Sequence, residues 1–113
     1  NGGWGFSVTA VSAADAEGVY IFDALGEPRW LLGSVAPAGS TVTMPLLQYT
    51  GFCPTCARTT SPSTTAVGTL TRRYTSNGNG SLDINVDYAG TVPGTWVRTN
   101  STQAKITPDI ACQ

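Results

Sequence analysis

The three cysteines are the residues most suited to chemistry, because the sequence contains no histidine. That absence excludes Ser-His-Asp catalysis, Cys-His catalysis and histidine-ligated metal sites. Cys53 and Cys56 form a C-x-x-C pair. Redox chemistry needs such a pair at the start of a helix in a βαβ unit. A zinc site needs four ligands, which three cysteines without a histidine do not supply. We therefore predict a structural disulfide and no cofactor. The bridge joins Cys53 to Cys56, or joins one of them to Cys112.

Carboxylates are the next candidates, since glycosidases place two acids about 5–10 Å apart. Asp83 and Asp87 share the polar face of one predicted strand, where four residues of extended chain separate their Cα atoms by roughly 13 Å. Lys105 has no evident partner that would activate its amine. We predict that these side chains are solvated and that the chain is not an enzyme.

Composition excludes further classes of function. Charged residues are 12% of the chain, against a usual share of roughly a quarter, while 9 Ser and 17 Thr supply hydroxyl groups instead. A net charge of −1 with six scattered cations predicts no nucleic-acid binding, and no apolar run is long enough for a membrane span. Three cysteines, little charge and a start without Met favour a secreted or cell-surface protein.

Apolar and polar residues alternate with a period of two through most of the chain. The clearest example is Ser81–Tyr88, where every second residue is apolar. The pattern predicts strands over 4–11, 19–23, 29–35, 41–49, 67–75, 81–88 and 95–98, with an eighth candidate over 103–107. Short turns between them predict an all-β fold, an antiparallel meander of seven or eight strands closed as a small barrel or sandwich.

Residues 1–113 are predicted to form a single β domain, with a long Cys- and Thr-rich loop over 51–66. Residues 14–18 are predicted to form a turn. Pro45 interrupts the fourth strand, which predicts a sheet edge or a bulge because proline has no amide to donate. Trp4 and Trp30 alternate with apolar neighbours and are predicted to be buried.

Three segments carry a resemblance to a known group of proteins. They are Gly3-Trp4-Gly5-Phe6, the stretch from Val19 to Gly33, and Val67-Gly68-Thr69-Leu70-Thr71. Together they resemble secreted bacterial β-modules of unestablished function, which carry the pattern [YF]-x-[YF]-D-A-x-G-x-P-x-W-x-x-G. Such modules occur alone, in tandem or appended to larger secreted proteins. The Cys53-x-x-Cys56 loop departs from the plain pattern, and the resemblance implies no catalytic residue.

The residues of the central segment favour a structural explanation of the pattern. Asp23 can accept hydrogen bonds from amides of the turn that follows it, and Gly26 can supply a positive φ. Pro28 fixes the exit into the next strand. A ligand-binding role for Tyr20 or Trp30 is the alternative.

Aromatic and hydroxyl side chains also offer binding and modification sites. Flat rings on a sheet face can stack on sugars, and Trp96, between Thr95 and Val97, is the best exposed candidate, with Tyr20 as a second. Asn100-Ser101-Thr102 matches the N-glycosylation sequon. The Thr-rich loop resembles a short O-glycosylation tract, in which the candidates are Thr59, Thr60, Thr64 and Thr65.

Association through β-strands is the function that the sequence favours. Edge strands of soluble monomers usually carry lysine or inward-pointing charge, and the first and fourth predicted strands carry neither. We therefore predict a structural or adhesive extracellular module that contacts copies of itself, or other domains of a larger protein, through its sheet edges. Carbohydrate binding by exposed aromatic residues, with glycans as partners, is the alternative.

Overall fold

The computed structural model describes residues 3–51, 55, 62–76 and 79–104. Within these ranges no helix is long and apolar enough to cross a membrane. The strands are β1 Trp4–Val11, β2 Ala14–Phe22, β3 Pro28–Val35, β4 Thr41–Thr50, β5 Ser63–Ser76, β6 Asn79–Tyr88 and β7 Gly94–Gln103. Each strand pairs antiparallel with the next, so the sheet order is β1-β2-β3-β4-β5-β6-β7. The predicted all-β antiparallel meander is confirmed.

The sheet curls into a half-barrel and stays open, so the predicted closure as a barrel or sandwich is wrong. In the described part of the chain, β1 pairs with β2 alone and β7 with β6 alone. Strand direction alternates along the sheet, and the first and last of seven strands therefore run parallel to each other. An antiparallel ladder between them is impossible, and parallel pairing is less stable per residue. The sheet has two edges, β1 and β7.

The hydrophobic core lies on the concave side of the curl, which we call the inner face. Alternation sends every second side chain of each strand to this face. Its fully buried members come from β2 to β6 and are Val19, Ile21, Leu31, Val42, Met44, Leu46, Val67, Leu70, Leu82, Ile84 and Val86. Trp4, Phe6, Val35, Tyr88 and Trp96 pack against them and are partly buried.

Polar groups connect strands across the inside of the curl. Arg72 of β5 is fully buried and forms an ion pair with Glu17 of β2, which is also fully buried. Asp15 lies 3.6 Å from the same guanidinium, and the Tyr74 ring centroid lies 4.1 Å from its central carbon. On β4, the Gln48 amide exchanges two hydrogen bonds with the backbone after β6. These contacts join strands that are not neighbours in the sheet and so maintain its curvature.

Several predicted boundaries are wrong, and β7 ends at Gln103 instead of Arg98. Residues 14–18 belong to β2 rather than to a turn, because Asp15 and Glu17 point inward to Arg72 while β1 and β3 pair on either side. The strand β5 begins at Ser63 instead of Val67, since Ser63 pairs with Thr50 at the end of β4. Thr64 and Thr65 are therefore exposed strand residues and not part of the loop.

The predicted edge position of the fourth strand is also wrong, because β4 lies in the middle of the sheet. A register shift between Leu46 and Leu47 places a bulge beside Pro45, with the extra residue on β5 rather than on β4. Pro45 is tolerated at the centre because the β3–β4 register contains only Leu31↔Gln48 and Leu32↔Leu47. The missing proline amide therefore interrupts no ladder on that side.

Candidate functional site

The structure places the two predicted ligand-binding aromatic residues on opposite faces of the sheet. Trp96 pairs with the buried Val86 and therefore lies on the inner face. Tyr20 is adjacent to the buried Val19 and Ile21 in β2, so it lies on the convex side, which we call the outer face. The two residues do not form one site, and each is considered with its own neighbours.

Tyr20 and Trp30 form an exposed aromatic pair on the outer face. They are paired directly across β2 and β3, with ring centroids 5.8 Å apart, and are 41% and 61% exposed. The prediction that Trp30 is buried is wrong, because its neighbour Leu31 takes the inward position opposite Val19. The Tyr20 ring covers Gly5 on β1, where a Cβ would lie 2.1 Å from the phenol oxygen.

The turn between β2 and β3, beside the Tyr20–Trp30 pair, has the structure that its residues predict. Leu25 N and Glu27 N donate to Asp23 Oδ1 at 2.9 and 3.0 Å, and Gly26 has a φ of 81°. Arg29 donates to Asp23 Oδ2 at 2.6 Å. Burial would raise the pKa of Asp23, but these backbone amides and Arg29 together lower it. Both structural predictions, on Asp23 and on Gly26, are confirmed.

A cleft of about 200 Å³ lies where the two sheet edges approach each other, and we call it the aromatic cleft. Its lining residues come from β1, β2, β6 and β7 and the segments beside them: Gly3, Trp4, Ile21, Phe22, Tyr88, Thr95, Trp96 and Arg98. Trp4 and Trp96 meet edge to face across it, with ring centroids 5.3 Å apart. The cleft thus places aromatic rings from both edges around one cation.

Arg98 is that cation. Its guanidinium carbon lies 5.4 Å from the Trp4 ring centroid and 5.9 Å from that of Trp96, within cation–π distance. Its Nε is buried without a hydrogen-bond partner in the described part of the chain. The other arginines of the described ranges each have a carboxylate partner: Arg29 pairs with Asp23, Arg72 with Glu17 and Asp15, and Arg73 with Asp83.

The two sheet edges differ in character. All eight residues of β1 pair with β2 in one unbroken register, and β1 contains neither a charged residue nor a proline. In β7 the register shifts opposite Asp83, where Asn100 has a φ of 49°. Bulges and inward-pointing charges both protect a sheet edge from pairing with another strand. The β7 edge has a bulge as well as the inward-facing Arg98. Among the residues that the structure describes, nothing of this kind protects the β1 edge.

Asp83 and Asp87 lie on the outer face and do not line the aromatic cleft. Asp83 accepts hydrogen bonds from Arg73 and from Asn100 N, both at 2.6 Å. The hydrogen bond from Arg73 and that from Asn100 N lower the pKa of Asp83. Asp87 accepts from Thr95 Oγ1. Asp83 therefore supports the β7 bulge, and its lowered pKa is the opposite of what a general acid needs.

Several predicted sites lie outside the described residues. These are Cys53, Cys56, Cys112, Lys105, Thr59, Thr60 and most of the proposed eighth strand over 103–107, of which Gln103 ends β7. Asn100 of the sequon is exposed at the β7 bulge. In the described ranges no three metal-ligating side chains cluster together.

Sequence reasoning missed the interior charges, Arg72, Glu17 and Arg98. A signal was present for Arg72, which falls between the apolar residues Leu70 and Tyr74 on one face of β5. A charge at an inward position of a strand indicates a buried partner or a binding role, since unpaired charge is costly to bury.

The comparisons with known proteins leave the chain without an assigned family. No family model, no curated protein and no solved structure matches it. The resemblance to secreted bacterial β-modules therefore stays a prediction, and functional inference rests on the β1 edge, the outer aromatic pair and the aromatic cleft.

Proposed function

We propose that this chain is a non-enzymatic extracellular module with a structural or adhesive role, which assembles through β-edge contacts in a filament or on a cell surface. The observation that supports this proposal is the uncharged β1 edge, Trp4–Val11. Every second residue of an edge strand directs its backbone N–H and C=O away from the sheet, and these groups template pairing with another strand.

The composition of β1 suits pairing with a second copy of itself. Ser7 and Thr9 are exposed, small and uncharged, so the outer surface of β1 presents no repulsion to an identical strand. Two β1 strands related by a twofold axis pair antiparallel and bury the same patch on each copy. The bulged β7 edge is a poorer partner. The first assembly step is therefore a β1–β1 dimer.

A lysine on β1 is expected to prevent this assembly. Thr9→Lys places a charge on the outer face of the edge strand without touching the core, and a β1–β1 dimer then brings two added lysines into one interface. We expect the unmodified chain to sediment as a dimer or larger species at high concentration in analytical ultracentrifugation. We expect Thr9→Lys to shift the apparent dissociation constant upward by at least about ten-fold, since the added like charges repel each other and lysine on an edge strand opposes pairing.

Ser34→Lys is the matched control, because Ser34 lies in the same cross-strand row as Thr9, through Ala16, but on the interior strand β3. It adds the same charge to the same exposed face two strands from the edge. Equal loss of assembly in both variants would indicate a general charge effect. A monomeric unmodified chain at high concentration, with no assembly in native preparations, would overturn the proposal.

Carbohydrate binding is a second candidate function, supported by the exposed Tyr20–Trp30 pair. Two neighbouring rings on a convex sheet face, tilted 48° to each other, offer apolar surface on which the C–H face of a neutral pyranose can stack. The pair is exposed although aromatic rings of this size usually contribute to a core.

An array of neutral oligosaccharides tests this second candidate. We expect binding that Trp30→Ala abolishes, since its ring contributes the most exposed surface of the pair. Tyr49→Ala removes an aromatic ring of similar exposure on β4 and serves as the control. If no neutral glycan binds, or if both variants lose binding equally, the Tyr20–Trp30 pair is not a sugar-binding surface.

A further inference from the structure

We propose that the aromatic cleft binds a carboxylate-bearing pyranose, a uronate residue of an acidic polysaccharide. The inference concerns a different surface from the β1 backbone edge and does not depend on assembly. It rests on the charge of Arg98, on the rings around it and on the size of the cleft.

Charge is the first argument. The guanidinium of Arg98 borders the cleft, and no carboxylate is among the described residues that line it. Arg29, Arg72 and Arg73 have acidic partners, whereas Arg98 contacts indole faces and has no carboxylate partner among the described residues. A planar guanidinium binds carboxylates through paired, charge-assisted hydrogen bonds. The ligand that completes this environment is an anion.

The aromatic rings indicate which kind of molecule carries the carboxylate. Trp4 and Trp96 supply apolar faces from the two sheet edges, and Tyr88 adds a hydroxyl group beside them. A binding site that combines aromatic surface with a few polar groups suits a ligand with an apolar face and a hydroxylated rim. A pyranose ring has both, because its axial C–H groups form one face and its hydroxyls lie around the edge.

Size limits the ligand to one sugar. A volume of about 200 Å³ is smaller than the usual range for drug-sized ligands, roughly 300–1,000 Å³. The cleft therefore holds a single uronate ring, whose neighbours in a polysaccharide lie outside it.

Titration of the unmodified chain with sodium glucuronate, followed by tryptophan fluorescence, tests the proposal. We expect saturable quenching, at least about ten-fold tighter than for glucose or for the uncharged glucuronamide, because only glucuronate forms the charge-assisted pair. Arg98→Gln is expected to weaken glucuronate binding by a similar factor. Arg73→Gln, which removes an arginine on the outer face, is expected to change nothing.

Three outcomes would overturn the inference. Equal affinity for glucuronate and glucuronamide would show that the carboxylate is not recognised, and this comparison stands even if Arg98→Gln fails to fold. Equal affinity for glucuronate and for a short peptide with a free C-terminal carboxylate would make the cleft a general carboxylate or peptide site. Unchanged binding by Arg98→Gln would place the site elsewhere. An oligogalacturonide that binds more tightly than free galacturonate would identify a polymer as the source.

Discussion

Replacing Arg72 with alanine is expected to lower the free energy of unfolding by about 3–5 kcal/mol, because the change leaves the Glu17 carboxylate buried without its partner. Small domains are stable by only about 5–15 kcal/mol, so a loss of this size leaves a large unfolded population on moderate heating. Urea denaturation followed by circular dichroism measures the change. The effect is large because both side chains are fully buried and join β5 to β2 across the curl.

Arg73→Ala is the matched control for this prediction. Arg73 is the next residue, and it also pairs with an acid, but its side chain and that of Asp83 are 44% and 35% exposed. Solvent screens such pairs, and we expect only a small fraction of the Arg72→Ala effect. Equal destabilisation by the two substitutions would contradict the assignment of Arg72 as the buried partner of Glu17.

The double variant Arg72→Met and Glu17→Leu separates the cost of an orphaned charge from the value of the ion pair. Apolar replacement of a buried pair is often neutral or stabilising. Atoms of the cluster also lack hydrogen-bond partners among the described residues, namely Glu17 Oε2, Arg72 Nε and one terminal nitrogen of Arg72. We therefore expect the double variant to be more stable than Arg72→Ala.

The strand pattern was predictable from the sequence because it depends on local alternation. β1 begins and ends where the pattern places it, and β6 differs only at its start, Asn79 instead of Ser81. The Asp23 turn was also predictable, since its hydrogen bonds connect residues at most six positions apart. Local features of this kind need no knowledge of the rest of the chain.

Features that depend on distant partners were not predictable in this way. In the sequence, Glu17 resembles a turn residue. Only the fold shows that it is the buried partner of Arg72, which lies 55 positions later. Trp30, Leu31 and Leu32 are all apolar, so the alternation of the sequence does not show which of them face inward. Only the pairing of Leu31 with Val19 shows that Trp30 faces outward. The open edges depend on the number and curvature of the strands, which short turns alone do not determine.

The aromatic cleft was likewise not predictable from neighbouring residues in the sequence. Trp4 and Trp96 lie on the two outermost strands of the sheet, and only the curl brings them together. The sequence identified Trp96 as a candidate for binding but predicted an exposed ring, whereas the structure shows a partly buried ring beside Arg98. A site built from both ends of a meander cannot be assembled from neighbouring residues.

Gly68→Ala is expected to be strongly destabilising, by about 3 kcal/mol or more. A Cβ at this position would lie 1.9 Å from the carbonyl oxygen of Asn85 on β6. Overpacking a core with a methyl group costs typically about 1–3 kcal/mol, but there a side chain can rotate away. Here the obstacle is backbone, and moving it breaks the β5–β6 ladder at Gly68↔Val86.

The bulge explains why the two backbones approach so closely. The register shifts between Leu46 and Leu47, which pair with Gly68 and Ala66, so Val67 is the extra residue on β5. Val67 is buried, and Gly68 follows it directly. Bulges commonly require glycine, and the Val67-Gly68 step of the sequence pattern therefore has a structural cause.

Gly18→Ala distinguishes this steric effect from the general loss of a glycine within a strand. Gly18 lies in β2, and its Cβ would meet only Ser7 Oγ, at 3.0 Å. That hydroxyl can rotate, and alanine also reduces the entropy of the unfolded chain by an amount worth about 0.4–1 kcal/mol. We expect Gly18→Ala to change the urea midpoint little and Gly68→Ala to lower it greatly. Equal midpoints would show that β6 can move away from Gly68, and that the close approach of the two strands is not required by the fold.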